Sequence, residues 1–599
     1  MPEIIIVSTI LLVTIVLFAW GRFAPEGVAL SAALALFLTD LIDHQELLKG
    51  FANPAIVTIA GLLILGNALE RAGIIRHIAD FLQKLAGKGE TRLLLTSTIA
   101  PGLLSGIINI VAAVSVFIPA LLRIALKTNI QPARLLLPMA YVAMAGASLT
   151  LIGASHNLVV NDILQEKTGE SLGFFSFTLL GLALVTIAVI YSLLTARWLL
   201  GKKEDSSIQE SQTRALIKLY ALHERIWELT VKEGIKKPIN FTRENGLAMV
   251  ALIRKEGNRP HISGEMEFNE GDTLLVSGRC ERAKKLTDRF AALELVGSPS
   301  YRDDFSAGDS ELIEVLVPPH SAAAGKTAQE LELLEKHHLH LIGLWRNEKP
   351  IRTDIDTLKL QAGDALLLYG QKRYTRQFNV SPDFLWLKQP SKTSVTKAAK
   401  KRAMWIALIF ASVIGVAALN LLPVSIAALG GAILVVAIGA LSVKQAYAAI
   451  QWDTLILIGA MLAFGPALTN SGASSWFAEL ISDQMQAYGP YAILSAIAIT
   501  TFLLTQALHN AAAAIIMTPV ALQVASQMGY QPQAFAVVVL LSASLSLLLP
   551  VGHPAPLLVQ RPGSYSTKDY MRFGIGLGIL SLPAIIGLTP LLFPLTSTG

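Results

Sequence analysis

The chain has 599 residues, of which 53% are hydrophobic and only 15% charged, with a formal net charge of +6. A soluble globular domain carries about a quarter charged residues. The deficit falls on 1–200 and 403–599, whereas 201–402 has an ordinary soluble composition, so the order membrane, soluble, membrane is expected and a uniformly soluble chain is excluded. The single cysteine, Cys280, excludes an intramolecular disulfide framework.

The first apolar run, Ile4 to Trp20, has no Lys or Arg before it and no small-residue cleavage site. It is expected to stay as a transmembrane helix and not to be removed as a signal peptide. A bilayer core takes about 20 residues of helix, and 3–20, 27–43, 54–70 and 173–200 meet that requirement. Between 92 and 165 the pattern changes. The apolar stretches are interrupted by Pro101, Gly102, Gly106, Asn109, Pro119, Pro138, Gly146, Gly153 and Asn157. Non-helical backbone at membrane depth survives only where protein or a water-filled cavity satisfies it. Such broken segments point to a transporter's binding site.

The basic pairs at Lys202-Lys203 and Lys400-Lys401-Arg402 flank the soluble part. By the positive-inside rule they place it in the cytoplasm. No aromatic-basic motif accompanies them, so nucleic acid is not an expected partner. The insert repeats itself: Leu247 to Pro260 leads to Gly271–Gly278, and Leu339 to Pro350 leads to Gly363–Gly370. Short apolar runs bounded by polar turns read as strands, so 206–292 and 309–382 are expected to be two small α+β modules. A ligand contact at His261 or Arg254-Lys255 is less expected than a solvated turn.

In 403–599 the plan recurs, with helices expected at 403–419, 421–441, 453–469, 488–506 and 573–593. A broken region runs from 506 to 564 and contains Asn510, Pro519, Pro550, Gly552, Pro554 and Pro556. Gly66 and Gly73 find equivalents at Gly465 and Gly472, and Asn109 to Pro119 at His509 to Pro519. Each glycine pair precedes an amphipathic stretch, Ile74–Leu85 and Ser474–Met485. The fold class expected is therefore a mainly α membrane protein with two repeated halves, inverted if the helix parity allows, containing hairpins and broken helices, with two α+β modules between them.

An anion at membrane depth needs hydrogen-bond donors and positive helix ends. Asn109, Ser155, His156, Asn157, His509 and Asn510 cluster in the broken segments, and His553 follows Gly552. Asn and Ser can donate to an anion or ligate a cation, and carbonyls near Gly153 and Gly552 can complete an oxygen cage. Histidine in a membrane segment is functional by default and titrates near physiological pH. Asp162 and Asp453 could ligate a cation but are more expected at an interface or a helix cap. Arg561 and Arg572 are expected to guide anions or anchor loops. No phosphate loop, paired Cys/His spacing or nucleophile–base pair is present, so neither an enzyme nor a metal site is expected.

These features resemble the divalent-anion/sodium symporter family of the ion-transporter superfamily. The insert is similar to a tandem pair of TrkA-C domains, the ligand-sensing modules of potassium-conductance regulators. The resemblance rests on Leu149–Val160, on Ser542–His553 and on the tail Val559–Gly574, with its Pro-Gly-x-Tyr and Asp-x-x-Arg-x-Gly pattern. It implies an elevator-type secondary transporter of a di- or tricarboxylate or sulfate, in the bacterial inner membrane. It further implies a homodimer held through a scaffold that includes 54–70 and 453–469, and a small ligand on the TrkA-C pair. Substrate residues would be Asn109, Ser155, His156, Asn157, His509, Asn510 and His553; cation residues would be Asn109, Gly153, Asn157, Asn510 and Gly552. The family's hairpin tips carry Ser-Asn-Thr or Asn-Asn-Thr, whereas here they read Asn109-Ile110-Val111 and His509-Asn510-Ala511. The coupling ion is accordingly Na+ or, through the histidines, H+. Rival readings are an ion channel or cation antiporter gated by the insert, and a non-transporting membrane sensor.

Overall fold

The computed structural model describes residues 2–20, 22–74, 89–128, 130–200, 220, 226–233, 235–238, 247–254, 265–277, 280–297, 310–318, 321–334, 336–346, 349–351, 355–378, 383–386, 397–550 and 552–596. The amphipathic stretch beyond Ile74, Lys202-Lys203, Lys255 and His261 lie outside the described residues. The chain separates into two compact units, Met1–Lys202 with Thr393–Gly599, and Lys203–Lys392.

Among the described residues, the apolar unit is built of helices joined by turns and short non-helical stretches. Its first part contains α1 Pro2–Trp20, α2 Pro25–Leu38, α3 His44–Lys49, α4 Pro54–Arg71, α5 Glu90–Ser105, α6 Ile110–Thr128, α7 Ala133–Gly146, α8 Ser155–Thr168 and α9 Thr178–Leu199. Its second part contains α10 Lys397–Ala418, α11 Val424–Ala437, α12 Val443–Ala449, α13 Trp452–Met461, α14 Phe464–Asn470, α15 Ala473–Met485, α16 Pro490–Ala507, α17 Asn510–Met528, α18 Pro532–Ala543, α19 Pro554–Gln560 and α20 Thr567–Leu592. Among the described residues, eight helical stretches are long and apolar enough to cross a membrane.

Several expected spans are shorter than their apolar runs, and local chemistry explains why. The 27–43 span stops at Leu38 because Asp40 turns the chain at φ +56, a left-handed conformation that short polar residues tolerate. The 421–441 span ends in the same way at Gly439, φ +68. The 453–469 span is two helices, α13 and α14. Pro466 has no N–H for the carbonyl of Leu462, and the Gly465 amide takes that carbonyl in a tighter turn at 3.1 Å.

Local devices recur at corresponding places in the two parts. Asp43 with Glu46 forms a capping box before α3, and Ser442 with Gln445 forms one before α12. Ser105 Oγ donates to the Ala143 carbonyl, and Thr505 Oγ1 donates to the Ala543 carbonyl at 2.9 Å. The core lies between these elements: α4 packs on α11, α13 on α2, α5 on α7 and α16 on α18. The opposite faces of α1, α10 and α11 expose Leu12, Trp20, Trp405 and Ile433, as expected of surfaces that lipid would cover.

The second unit is built on sheets. Strands Ala248–Ile253, Thr273–Ser277, Ile226–Val231 and Leu293–Gly297 form, in that spatial order, a four-stranded antiparallel sheet. A helix, Cys280–Arg289, follows Thr273–Ser277 in the chain and buries Ala283 and Leu286 in the same core as Leu229, Leu274 and Val276. Leu385–Trp386, Ser310–Leu316, Ala365–Gln371, His340–Arg346 and Lys349–Ile351 form a five-stranded sheet in that order. Tyr220 precedes the first sheet in the chain but packs on the second: its hydroxyl donates to Glu314 Oε1 at 2.7 Å and its ring meets Trp345 edge-on.

Each sheet places an Arg beside a buried Asp, as a two-bond clamp in the second sheet and as a longer-range pair in the first. Arg346 grips Asp364 through two bonds, 2.8 Å from Nε and 2.6 Å from Nη2, and also donates to the Lys359 carbonyl; Asp364 in turn accepts from the Gln361 amide. Arg254 stands 3.9 Å from Asp272 and donates to the Glu267 carbonyl, and Asp272 accepts from the Asn269 amide. Asp364 is buried and loses its counter-charge in Arg346→Met. That variant is expected to destabilise the second sheet by about 3 kcal/mol. Limited proteolysis of the full-length protein in detergent would show cleavage within 309–382 accelerated; a cleavage rate equal to the parent's would contradict this.

His337 lies edge-on to Phe378, and burial together with the nearby Lys336 holds its pKa below the ordinary histidine value. The unfolded chain therefore takes up a proton at a higher pH than the folded insert does. Stability from this site is complete above about pH 6.5 and declines as pH falls. The acid-side slope of insert stability is expected to flatten in His337→Gln, measured by the same proteolysis between pH 5 and 7.

Candidate functional site

Two helical hairpins and two interrupted helices meet in the interior of the apolar unit. In the first hairpin the chain reverses between α5 and α6, and the Asn109 side chain accepts from the Val111 amide at 2.8 Å, capping α6. In the second, His509 performs the same task for α17, its Nδ1 accepting from the Ala511 amide at 3.4 Å. An imidazole thus stands where an asparagine caps the other tip.

The first interrupted helix is α7, then a non-helical stretch at 150–154, then α8. Gly153 is required there, since a Cβ would come within 2.3 Å of the Ala147 carbonyl oxygen. Thr150 Oγ1 donates to the Gly106 carbonyl and so ties the interruption to the first hairpin tip. The second interruption separates α18 from α19. A Cβ on Gly552 would come within 2.0 Å of Ser546 Oγ, and His553 caps α19 through the Ala555 amide at 3.1 Å.

Gln506 holds the second interruption open. Its amide donates to the carbonyls of Phe502 and Leu545, and its carbonyl accepts from the amides of Leu547 and Leu548, at 2.7 to 3.0 Å. All four hydrogen-bonding sites of the side chain are used, three of them on the backbone of Leu545, Leu547 and Leu548, which no helix satisfies. Tyr141 Oη donates to the Leu547 carbonyl, which joins the two parts of the chain at the same place.

The side chains near the centre are His156, Asn157, Ser544, His509 and Asn510. His156 is buried and its Nε2 lies 2.7 Å from Ser544 Oγ, across the two halves. Ser544 Oγ also reaches the Leu540 carbonyl at 3.0 Å and accepts from Ser148 Oγ at 3.3 Å. The His509 and His156 imidazoles are near enough to interact electrostatically. Asn157 is fully buried. Its Nδ2 donates to the Ala147 and Thr150 carbonyls, both at 3.1 Å, and its Oδ1 has no protein partner. The orientation follows from the network, because a flipped amide would set oxygen against two carbonyl oxygens. Asn510 pairs with Thr505 Oγ1 at 2.9 Å.

Of the residues expected from the sequence, His156 meets Ser544 and Asn157 binds the Ala147 and Thr150 carbonyls. Ser155 opens α8 and is half-buried. Asn109, His509 and His553 hold helix N-termini, and Gly153 and Gly552 allow close backbone packing. Gln506, Ser544, Thr150 and Tyr141 were not expected from the sequence. Gln506 alone carried a legible sign, as the one amide in an otherwise apolar or hydroxyl-bearing helix directly before His509. Among the described residues, no group of three or more His, Cys, Asp or Glu could hold a metal ion. The arrangement offers donors, helix N-termini and one open amide oxygen at the meeting point of discontinuous helices.

An apolar helical unit of this kind, interrupted at paired places in its interior, defines a multi-pass membrane transporter. The chain belongs to the citrate transporter family, whose profile matches residues 15–540 and 492–596. It is 29% identical over 597 residues to an uncharacterized transporter of Synechocystis sp., covering 98% of this chain and 96% of that one. It is 27% identical to the uncharacterized transporter YfbS of Escherichia coli, covering 99% of both. A probable sodium/sulfate cotransporter of Chlamydomonas reinhardtii is 24% identical over 337 residues, 55% of this chain and 37% of its own length.

Proposed function

We propose that the protein is a secondary active transporter of a small anion, of the di- or tricarboxylate or sulfate class, driven by Na+ or H+. The observation that carries this reading is the junction at α8. Buried His156 and Asn157 sit in its first turn, between a capped hairpin tip and the second interruption, with Asn157 Oδ1 unpartnered. Family membership and the sodium/sulfate relatives support an anionic cargo. Substrate would be held by Asn109, Ser155, His156, Asn157, His509, Asn510 and His553. A coupling cation would be held by Asn109, Asn157 and Asn510 with carbonyls beside Gly153 and Gly552.

In this reading the two halves descend from one duplicated unit, which the matching capping boxes and the Ser105–Ala143 and Thr505–Ala543 bonds support. The hairpins and interrupted helices move as an elevator against a scaffold containing α4, α13 and α14, which pairs two copies in the bacterial inner membrane. The 201–402 insert is a cytoplasmic TrkA-C pair that regulates transport on binding a small ligand; the corresponding Arg–Asp pairs support its being a tandem repeat.

Proteoliposome uptake of labelled citrate and sulfate, with sodium and pH gradients imposed separately, tests the function. Accumulation of either anion that requires one of the gradients is expected. Absence of uptake and counterflow for every di- and tricarboxylate and for sulfate would sink it.

A further inference from the structure

We infer that Tyr220 is a latch that fastens the connection from α9 to the second sheet of the insert, and that the latched sheet restrains transport. This rests on the reading of the insert as a regulator. Tyr220 precedes every strand of the first sheet in the chain, yet it is fully buried against the second. Its hydroxyl donates to Glu314 Oε1 at 2.7 Å and lies 3.4 Å from the Ala365 carbonyl. Its ring meets Trp345 edge-on, with centroids 5.8 Å apart. Gly343 makes room for the ring, since a Cβ there would come within 2.7 Å of Tyr220 Cδ1. Ile313 and Val315 enter the core of the second sheet, so Glu314 between them, and Tyr220 with it, lie on the opposite face.

The two sheets explain why Tyr220 passes over its own neighbour. They share one strand order: Ala248–Ile253, Thr273–Ser277, Ile226–Val231 and Leu293–Gly297 correspond to His340–Arg346, Ala365–Gln371, Ser310–Leu316 and Leu385–Trp386. Glu228 stands opposite Leu275 as Glu314 stands opposite Leu367. On the other side Ala251 faces Leu275, whereas Gly343 faces Leu367. The first sheet thus has a methyl group at the place that the second leaves open for a ring.

The latch brings both connections of the insert to one strand. Glu314 holds Tyr220, and the adjacent Val315 pairs with Trp386. Only residues 200–219 separate α9 from Tyr220, and only 387–396 separate Trp386 from α10. Without the latch, the path from α9 to Ser310 runs on through 221–309 and includes the whole first sheet. A shorter connection holds its ends at a higher effective concentration. At the membrane end, α9 packs on α5, α7 and α20, and Arg197 in its last turn pairs with Glu90 of α5 at 3.4 Å. The other connection enters α10, which packs on α4 and α11. In the elevator reading α5 belongs to a moving hairpin and α4 to the scaffold. The second sheet therefore ties a moving helix to a fixed one, and the first sheet lies outside that tie.

Pulsed electron paramagnetic resonance of the full-length protein in lipid tests the latch. Spin labels are placed at exposed positions by Trp198→Cys on α9 and Gln377→Cys beyond the second sheet, with Cys280→Ser removing the native thiol. Tyr220→Gly should widen the distance distribution about twofold and raise anion uptake about threefold, as expected when a short tether is lengthened. Added p-cresol, the side chain of tyrosine without its backbone, should refill the seat and restore resistance of the second sheet to proteolysis. It cannot reconnect the chain, so the width and the uptake should stay changed. A parent-like width in Tyr220→Gly overturns the latch, and so does an unchanged or lower uptake. Return of uptake to the parent's rate with p-cresol would show that Tyr220 only fills space. If Tyr220→Gly does not fold, Gly343→Ala should expel the ring and give the same widening and faster uptake; parent-like values there overturn the proposal equally. Failure of the parent to move any anion would refute the transporter reading instead, and the distance widths would still judge the latch.

Discussion

Asn157→Leu is expected to reduce anion uptake by about 10- to 100-fold without preventing insertion of the protein into the membrane. The substitution removes a buried amide oxygen at the centre that has no protein partner, and with it a ligand for a coupling cation or a bound water. It also strips the Ala147 and Thr150 carbonyls of their donor. An interaction with a charged group is worth about 1.5–3 kcal/mol, which is one to two powers of ten. Asn157→Asp should do no better, since it sets a carboxylate against the same two carbonyls. Initial uptake rates in proteoliposomes at matched protein content would check this. A leucine variant that transports like the parent would show that Asn157 merely fastens helices.

The two glycines of the interruptions should respond unequally to alanine. At Gly153 the new Cβ meets backbone: the carbonyl oxygen of Ala147 at 2.3 Å and its carbon at 2.9 Å. Backbone cannot step aside without moving the turn that Asn157 and Thr150 hold, and overpacking of this kind costs about 1–3 kcal/mol. Gly153→Ala is therefore expected to lose uptake almost completely and to lower the unfolding temperature in detergent. At Gly552 the first obstacle is Ser546 Oγ at 2.0 Å, the end of a side chain that can rotate, and the next is the Thr505 carbonyl at 3.4 Å. Gly552→Ala should retain a measurable share of activity, and Gly552→Ala with Ser546→Ala should recover more. Equal defects at both glycines would show that the nearest neighbour, backbone or rotatable side chain, does not set the cost.

The reading of the sequence located the interruptions because proline, glycine and asparagine within apolar runs are local signs. Asn109 and His509, singled out by their equal spacing from Pro119 and Pro519 and by the family resemblance, stand at the turns before α6 and α17. Helix ends were less legible. Asp40 and Pro466 act through φ and a missing N–H, and each is followed by two more apolar residues, so the apolar pattern overruns the helix end.

What no stretch of sequence shows is which distant backbone a side chain will serve. Gln506 joins residues 502, 545, 547 and 548, and His156 reaches Ser544 almost four hundred positions away. Those pairings exist only once the hairpins have packed against the interrupted helices. Apolar patterning and breakers, which are properties of neighbouring residues, determined that there would be two membrane parts, an α+β insert and broken helices. Tertiary packing alone decided that Asn157 keeps one oxygen free and that a glutamine and a serine complete the centre. Burial and hydrogen-bond satisfaction depend on groups the chain brings together from far apart.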